Sequence, residues 1–132
     1  MSKIINFSEA ASIGIHSAIL IARSDVPLNA VELSKKLGSS KYNIGKVLQR
    51  LVKDGILSSL RGPTGGFSLK KKPEDVLIYD IYRSIEGEVD SVNCNIDVHI
   101  CPLDKCIRET IIIKLTEEFV NYLKAYTLKD YL

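Results

Sequence analysis

The chain has no tryptophan, one methionine, two histidines and three cysteines among its 132 residues. Two histidines leave little room for acid–base chemistry. There is no Gly-rich phosphate loop, no Gly-x-Ser-x-Gly and no His-Glu-x-x-His, so a non-enzyme is expected. The three cysteines are an odd number and lie between Cys94 and Cys106, which disfavours a disulfide framework. Long apolar runs are missing too. The most apolar stretch, Ile13 to Ala22, contains His16 and falls well short of the about 20 residues of a membrane span. Met1-Ser2-Lys3-Ile4 has none of the marks of a signal peptide, so a cytoplasmic protein without a membrane partner is expected. The 45% hydrophobic and 26% charged fractions are ordinary for a globular domain.

The formal net charge of +2 hides an uneven distribution. Lys35, Lys36, Lys41, Lys46, Arg50, Lys53, Arg61, Lys70, Lys71 and Lys72 fall in one stretch whose only acid is Asp54, so that stretch carries +9 and the remainder −7. A compact basic segment is an electrostatic footprint for a polyanion. Alone, it is equally well a solvated face; the elements beneath it decide.

Residues 6–24 predict a helix with apolar stripes Phe7, Ala11, Gly14, Ala18, Ile21 and Ile15, Ile19, Ala22, a surface broad enough for its own domain and a partner chain. Asn29 caps a short helix from Ala30 to Leu37, closed by Gly38. Ser39 or Ser40 caps a third helix to Asp54, in which Ile44, Val47, Leu48, Leu51 and Val52 keep helical spacing. Two short strands, 56–60 and 67–69, flank the turn-forming run Arg61-Gly62-Pro63-Thr64-Gly65-Gly66. Pro73 starts a fourth helix, which Gly87 ends; 88–102 reads as a loop. A last helix is expected from about Leu103 to Tyr126, with the stripe Leu103, Ile107, Ile111, Leu115, Phe119, Leu123, Tyr126.

Helix, glycine turn, helix and hairpin make a winged helix–turn–helix. The fold class is therefore mainly α with a small β-hairpin wing and a long C-terminal helix. The third helix leaves a polar face for the major groove. Ser39, Ser40, Lys41, Tyr42 and Asn43 stand at its N-terminal end, with Lys46, Gln49 and Arg50 further along. That end carries the positive end of the helix dipole, and Asn, Gln, Lys and Arg make directional base contacts. The wing adds Arg61 and Thr64, within reach of a minor groove or a phosphate. The partner expected is double-stranded DNA.

Ser40-Lys41-Tyr42-Asn43-Ile44, then Leu51-Val52-Lys53-Asp54-Gly55-Ile56-Leu57-Ser58, then Arg61-Gly62-Pro63-Thr64-Gly65-Gly66-Phe67-Ser68-Leu69 closely resemble the Rrf-two family of bacterial transcription regulators. The family includes an iron–sulfur cluster regulator, a nitric-oxide sensor repressor and a cysteine metabolism repressor. The Arg-Gly then Gly-Gly-aromatic wing is the most specific part, and the likeness runs the length of the chain. It implies a homodimer on a near-palindromic operator, which helix–turn–helix geometry also favours. The organisation implied is a winged DNA-binding domain over 1–86 with its wing at about 56–69, a cysteine-bearing sensor loop over 87–106, and a dimerisation helix over 103–132 packing with helix 6–24 of the partner.

Cys94, Cys101 and Cys106 are spaced x6 and x4, among polar residues rather than in the apolar setting of structural cysteines. Thiolates ligate iron–sulfur clusters and zinc. Cys101 with Cys106 also suffices for a dithiol switch. From the residues alone these readings, and the absence of any function, stay open. The family resemblance implies an iron–sulfur cluster, 2Fe–2S or 4Fe–4S, on the three cysteines, one that aerobic purification can strip. In relatives the fourth ligand comes from the first helix of the partner subunit, as an acid or a histidine. Here the acid position falls on Ser12, a departure, and the histidine position on His16. Glu9, on roughly the same face, is the nearby acid, and His99 the local alternative. The function implied is a regulator whose operator affinity is switched by a redox- or nitric-oxide-sensitive cluster. The competing reading is a thiol/disulfide-switched or partner-regulated winged-helix repressor without a cluster.

Overall fold

The computed structural model describes Ile5 and residues 7–89, 100–105 and 109–132. Helix α1 (Glu9–Arg23) starts where the Ser8 hydroxyl accepts the Ala11 amide at 3.0 Å. This cap sets the start later than the apolar pattern predicts, and Phe7 lies outside the helix, half exposed. Helix α2 (Ala30–Leu37) is capped by Asn29, whose Oδ1 accepts the Glu32 amide at 2.8 Å, and ends on Gly38 at φ 72°. Helix α3 (Lys41–Lys53) follows at once. Strands β1 (Leu57–Leu60) and β2 (Gly66–Leu69) form an antiparallel hairpin with Leu57 opposite Leu69 and Leu60 opposite Gly66. Helices α4 (Ile78–Glu86) and α5 (Glu109–Ala125) complete the regular elements, with single 3-10 turns at Pro73–Asp75 and Leu128–Tyr131.

Helix α1 is the centre of the domain. Ala11, Ile13, Gly14, Ile15, Ser17, Ala18 and Ile21 are all buried, against α2, α3, α4, β2 and the C-terminal 3-10 turn. The breadth of its apolar surface is thus largely used within the chain. Gly14 marks the closest approach: a Cβ there would run into Ile85 Cδ1 of α4 and lie 3.3 Å from Val47 Cγ1 of α3.

The hairpin is seated by its glycines. Leu28 exchanges both backbone hydrogen bonds with Phe67, at 3.1 and 2.7 Å, so a short extended segment before α2 borders β2. Gly66 sits at φ 150°, and a Cβ there would lie 2.7 Å from the Leu28 carbonyl carbon and oxygen. A Cβ on Gly65 would strike the Leu60 carbonyl. The Gly-Gly-Phe of the wing is a packing requirement at two successive positions.

Two expectations are corrected. The fourth helix does not run on from Pro73: Val76 and Leu77 are extended, because the Val76 carbonyl accepts the Leu128 amide and the Ile78 amide donates to the Tyr126 carbonyl, both at 3.0 Å. Tertiary pairing overrides the local helix pattern there. The last helix does not reach back to Leu103, which is exposed and outside any helix. Its stripe is also divided. Leu123 is buried and Phe119 stacks edge-on to Tyr82 with centroids 5.2 Å apart, whereas Ile111 is exposed. The end of the chain folds back on its own domain through fully buried Leu128 and a 2.8 Å bond from Arg23 Nε to the Tyr131 carbonyl. Ile107 and residues 90–99 of the expected loop lie outside the described residues.

Gly66→Ala is expected to cost on the order of 1–3 kcal/mol, through the strained φ and the blocked approach to Leu28. Urea unfolding followed by circular dichroism should show the lower midpoint; an unchanged midpoint contradicts the seating.

Candidate nucleic-acid interface and sensor residues

Helix α3 buries Ile44, Val47, Leu48 and Leu51. That fixes its rotation and turns Lys41, Tyr42, Asn43, Lys46, Gln49, Arg50 and Lys53 outward, all of them exposed. At its start, Ser40 Oγ accepts the Asn43 amide at 3.1 Å, while Ser39 is half-buried in the preceding turn. Lys46 Nζ sits 5.1 Å over the Tyr42 ring, so a cation and an aromatic one turn apart share one patch. On the wing, Arg61 and Thr64 are exposed around a turn in which the Gly65 amide donates to the Gly62 carbonyl at 2.9 Å. Polar helix face and basic wing are carried by one domain, with exposed Lys70, Lys71 and Lys72 following β2.

Arg50 differs from the other helix cations. Its Nε donates to the Ser84 carbonyl of α4 at 2.9 Å and lies 3.9 Å from the Asp54 carboxylate. It has a structural anchor as well as an exposed guanidinium. The anchor escapes a reading by sequence, although Ser84, a small polar residue beside the apolar face Ile78, Ile81, Tyr82 and Ile85, is a signal of it.

Of the residues expected to sense, Cys101 is a half-buried free thiol outside any helix or strand. Cys94, Cys106 and His99 lie outside the described residues. Glu9 and His16 are exposed on α1 and line, with Ser12, Ile13, Leu37 and Ser39, a cleft of about 200 Å³. His16 Nδ1 is 2.7 Å from the Ser12 carbonyl. A carbonyl only accepts, so Nδ1 carries the hydrogen and the neutral ring keeps its lone pair on Nε2, as a metal-binding imidazole requires. Glu9 also borders a second cleft of about 250 Å³ with Asn43, Lys46 and Val47. It therefore stands between the His16 cleft and the polar face of α3. Among the described residues no three His, Cys, Asp or Glu side chains converge on one point. On α4, burial and then the Glu86 carboxylate push the Tyr82 phenol above its ordinary value near 10, and its ring packs against Phe7 and Phe119, with centroids at 5.9 and 5.2 Å. No described helix is long and apolar enough to cross a membrane.

Residues 7–132 match the Rrf2 family, described as iron-dependent transcriptional regulators. An rrf2-like HTH-type transcriptional regulator of Rhodobacter capsulatus is 34% identical over 119 residues, 84% of this chain and 79% of its own. The HTH-type transcriptional regulator IscR of Klebsiella pneumoniae is 28% identical over 104 residues, 79% of this chain; the match covers only 64% of the relative's length. Among solved structures, CymR of B. subtilis, a global cysteine regulator, superposes with a TM-score of 0.82 at 20% identity, covering 96% of this chain and 95% of that one. IscR of T. potens superposes with a TM-score of 0.77 at 22% identity, covering 96% and 85%. These relatives are transcriptional regulators, not enzymes.

Ser40→Ala removes the cap at the start of α3 and is expected to cost about 1 kcal/mol. Chemical denaturation measures it; Ser40→Asp should recover most of the loss, and a variant as stable as the parent contradicts the capping role.

Proposed function

The chain belongs to the Rrf2 family of transcriptional regulators, and on that premise we propose that it is a dimeric, DNA-binding regulator of a near-palindromic operator, switched through its cysteine segment. The observation that carries this is the rotation of α3. Burial of Ile44, Val47, Leu48 and Leu51 leaves Lys41, Tyr42, Asn43, Lys46 and Gln49 exposed on the element that enters a major groove. Ser39 and Ser40 present the helix N-terminus to phosphate. Arg61 and Thr64 of the wing take the neighbouring groove or backbone. The +9 segment supplies the counterion-releasing contacts that dominate affinity. In this reading 1–86 binds DNA, 87–106 senses, and the exposed residues of α5, with Ile111 and Tyr122 among them, meet a second copy.

Cys94, Cys101 and Cys106 would hold an iron–sulfur cluster, with His16 or Glu9 of the first helix of the partner subunit as the further ligand. When bound, the cluster supplies a redox- and nitric-oxide-sensitive centre. The donor set fits: three thiols within a short segment, one of them a half-buried free thiol, and an imidazole held with Nε2 as its basic nitrogen. Glu9 borders the cleft shared with Asn43 and Lys46, so a change at α1 is felt beside the polar face of α3. A tenfold change in affinity needs only about 1.4 kcal/mol between states. The free, half-buried thiol of Cys101 also supports a second reading, in which two cysteines form a disulfide, giving two protons and two electrons to an oxidant.

Two measurements test this. Anaerobically reconstituted protein should absorb in the visible, and Cys94→Ala, Cys101→Ala or Cys106→Ala should abolish that absorption; a normal spectrum in all three variants removes the cluster, and a colourless parent whose DNA binding follows thiol oxidation selects the second reading. Separately, Lys46→Ala and Arg61→Ala should each weaken binding to a duplex selected from a random library, with a salt slope smaller by about one. Superimposable binding curves across salt would contradict the groove-facing assignment.

A further inference from the structure

The last turn of α4 precedes the cysteine segment directly, and it holds two other helices. The Ser84 carbonyl accepts Arg50 Nε at 2.9 Å, and the Ser84 hydroxyl donates to Asp54 Oδ2. Both partners belong to the C-terminal end of α3. Two residues on, the Glu86 carboxylate accepts from the Ser8 hydroxyl, the same oxygen that caps α1 by accepting the Ala11 amide. Gly87, at φ 83°, then ends α4, and the chain continues into 88–106.

Asp54 is the only acid in the +9 segment. An acid at a helix C-terminus is opposed by the helix dipole, and in a DNA-facing segment it opposes phosphate as well. Both costs are offset here by Ser84 and Arg50. Ser84 is 7% exposed, so the contact is reached from the buried side of α4, whereas the Arg50 and Asp54 side chains are 57% and 41% exposed. Beside it lies a polar cleft of about 300 Å³ lined by Asp54, Lys71, Asp80, Arg83 and Ser84. A carboxylate released from Ser84 would face the Lys71 and Arg83 cations there, with the Asp80 carboxylate opposing them, so the cleft offers Asp54 a second set of cationic partners. Two alternative sets of partners are what a switching contact requires.

We propose that Ser84 is a positioning residue that couples the cysteine segment to the recognition helix: movement at the end of α4 makes or breaks its bond to Asp54 and so sets the angle of α3. The inference rests on the sensor reading of 87–106 and adds the joint through which that sensor acts. Among the described residues the polar partners of Ser84 are Asp54 and Arg50, and it acts through them.

The test uses the full chain, anaerobically, with and without a reconstituted cluster, and a duplex selected from a random library by the parent protein. The parent should show a ratio of affinities between the two forms of roughly tenfold or more. Ser84→Ala should bring the ratio to within about threefold while the cluster spectrum stays normal, and Ser84→Thr, which keeps the hydroxyl, should restore it. Asp54→Ala cuts the same bond from the exposed side and should act like Ser84→Ala; the ratio cancels its uniform electrostatic gain. In the cluster-free protein, amide exchange at residues 50–54 should be severalfold faster in Ser84→Ala than in Ser84→Thr. A parental ratio retained in both Ser84→Ala and Asp54→Ala overturns the joint and leaves the sensor reading standing. A parent that holds a cluster but shows a ratio of one overturns the sensor reading, and the joint with it.

Discussion

The rotation of α3 about its own axis is the constraint on which the rest depends. Ile44, Val47, Leu48 and Leu51 are removed from water against α1 and its neighbours, each burial contributing roughly 1.5–3 kcal/mol. Turning the helix by even a quarter would expose part of that set and bury lysines. The polar face is thus positioned by what lies behind it. Gly14 of α1 lets α3 and α4 come in together, since any side chain there would press on Val47 and Ile85. The wing follows the same logic from the other side: Gly66 lets β2 lie against Leu28, and Arg61 and Thr64 are thereby held at a set distance from α3.

Charge acts on this scaffold at a second level. A total of +2 would give little long-range attraction to DNA. The stretch from Lys35 to Lys72 concentrates +9 on the elements that face outward, and the remaining acids lie elsewhere in the chain. The one exception, Asp54, is the residue joined to Ser84. Within the basic segment, then, the single acid links α3 to the helix that leads into the cysteine segment. Glu86 extends the same turn to the cap of α1. Two other helices, α1 and α3, are tied to the last turn of α4, immediately before the part of the chain proposed to sense.

Much of this was legible in the sequence wherever local signals agreed. Asn29 and Gly38 marked the ends of α2, and the spacing of Ile44, Val47, Leu48 and Leu51 marked the buried face of α3, because capping and helical period are short-range. Tertiary pairing was not legible. Val76 and Leu77 fit a helix by pattern, but their backbone pairs with a segment some 50 residues further on, at Thr127. The apolar stripe of the last helix read as one surface, whereas Phe119 and Leu123 serve the core and Ile111 faces outward. The tie of Arg50 to Ser84 was hidden for the same reason: an exposed cation on a helix gives no sign of the carbonyl it is tied to. Of the proposed ligands, the described residues show Cys101, Glu9 and His16. The 2.7 Å approach of His16 Nδ1 to the Ser12 carbonyl is a property that no spacing rule reveals.

The most direct test of the account is to map the protein's backbone amides by NMR during titration with a selected duplex. The account predicts shifts concentrated at residues 39–50 and 61–65, with residues 128–131, on the far end of the chain, unmoved. Shifts confined to α5 and the C-terminal turn, with the recognition helix and wing unchanged, would contradict it.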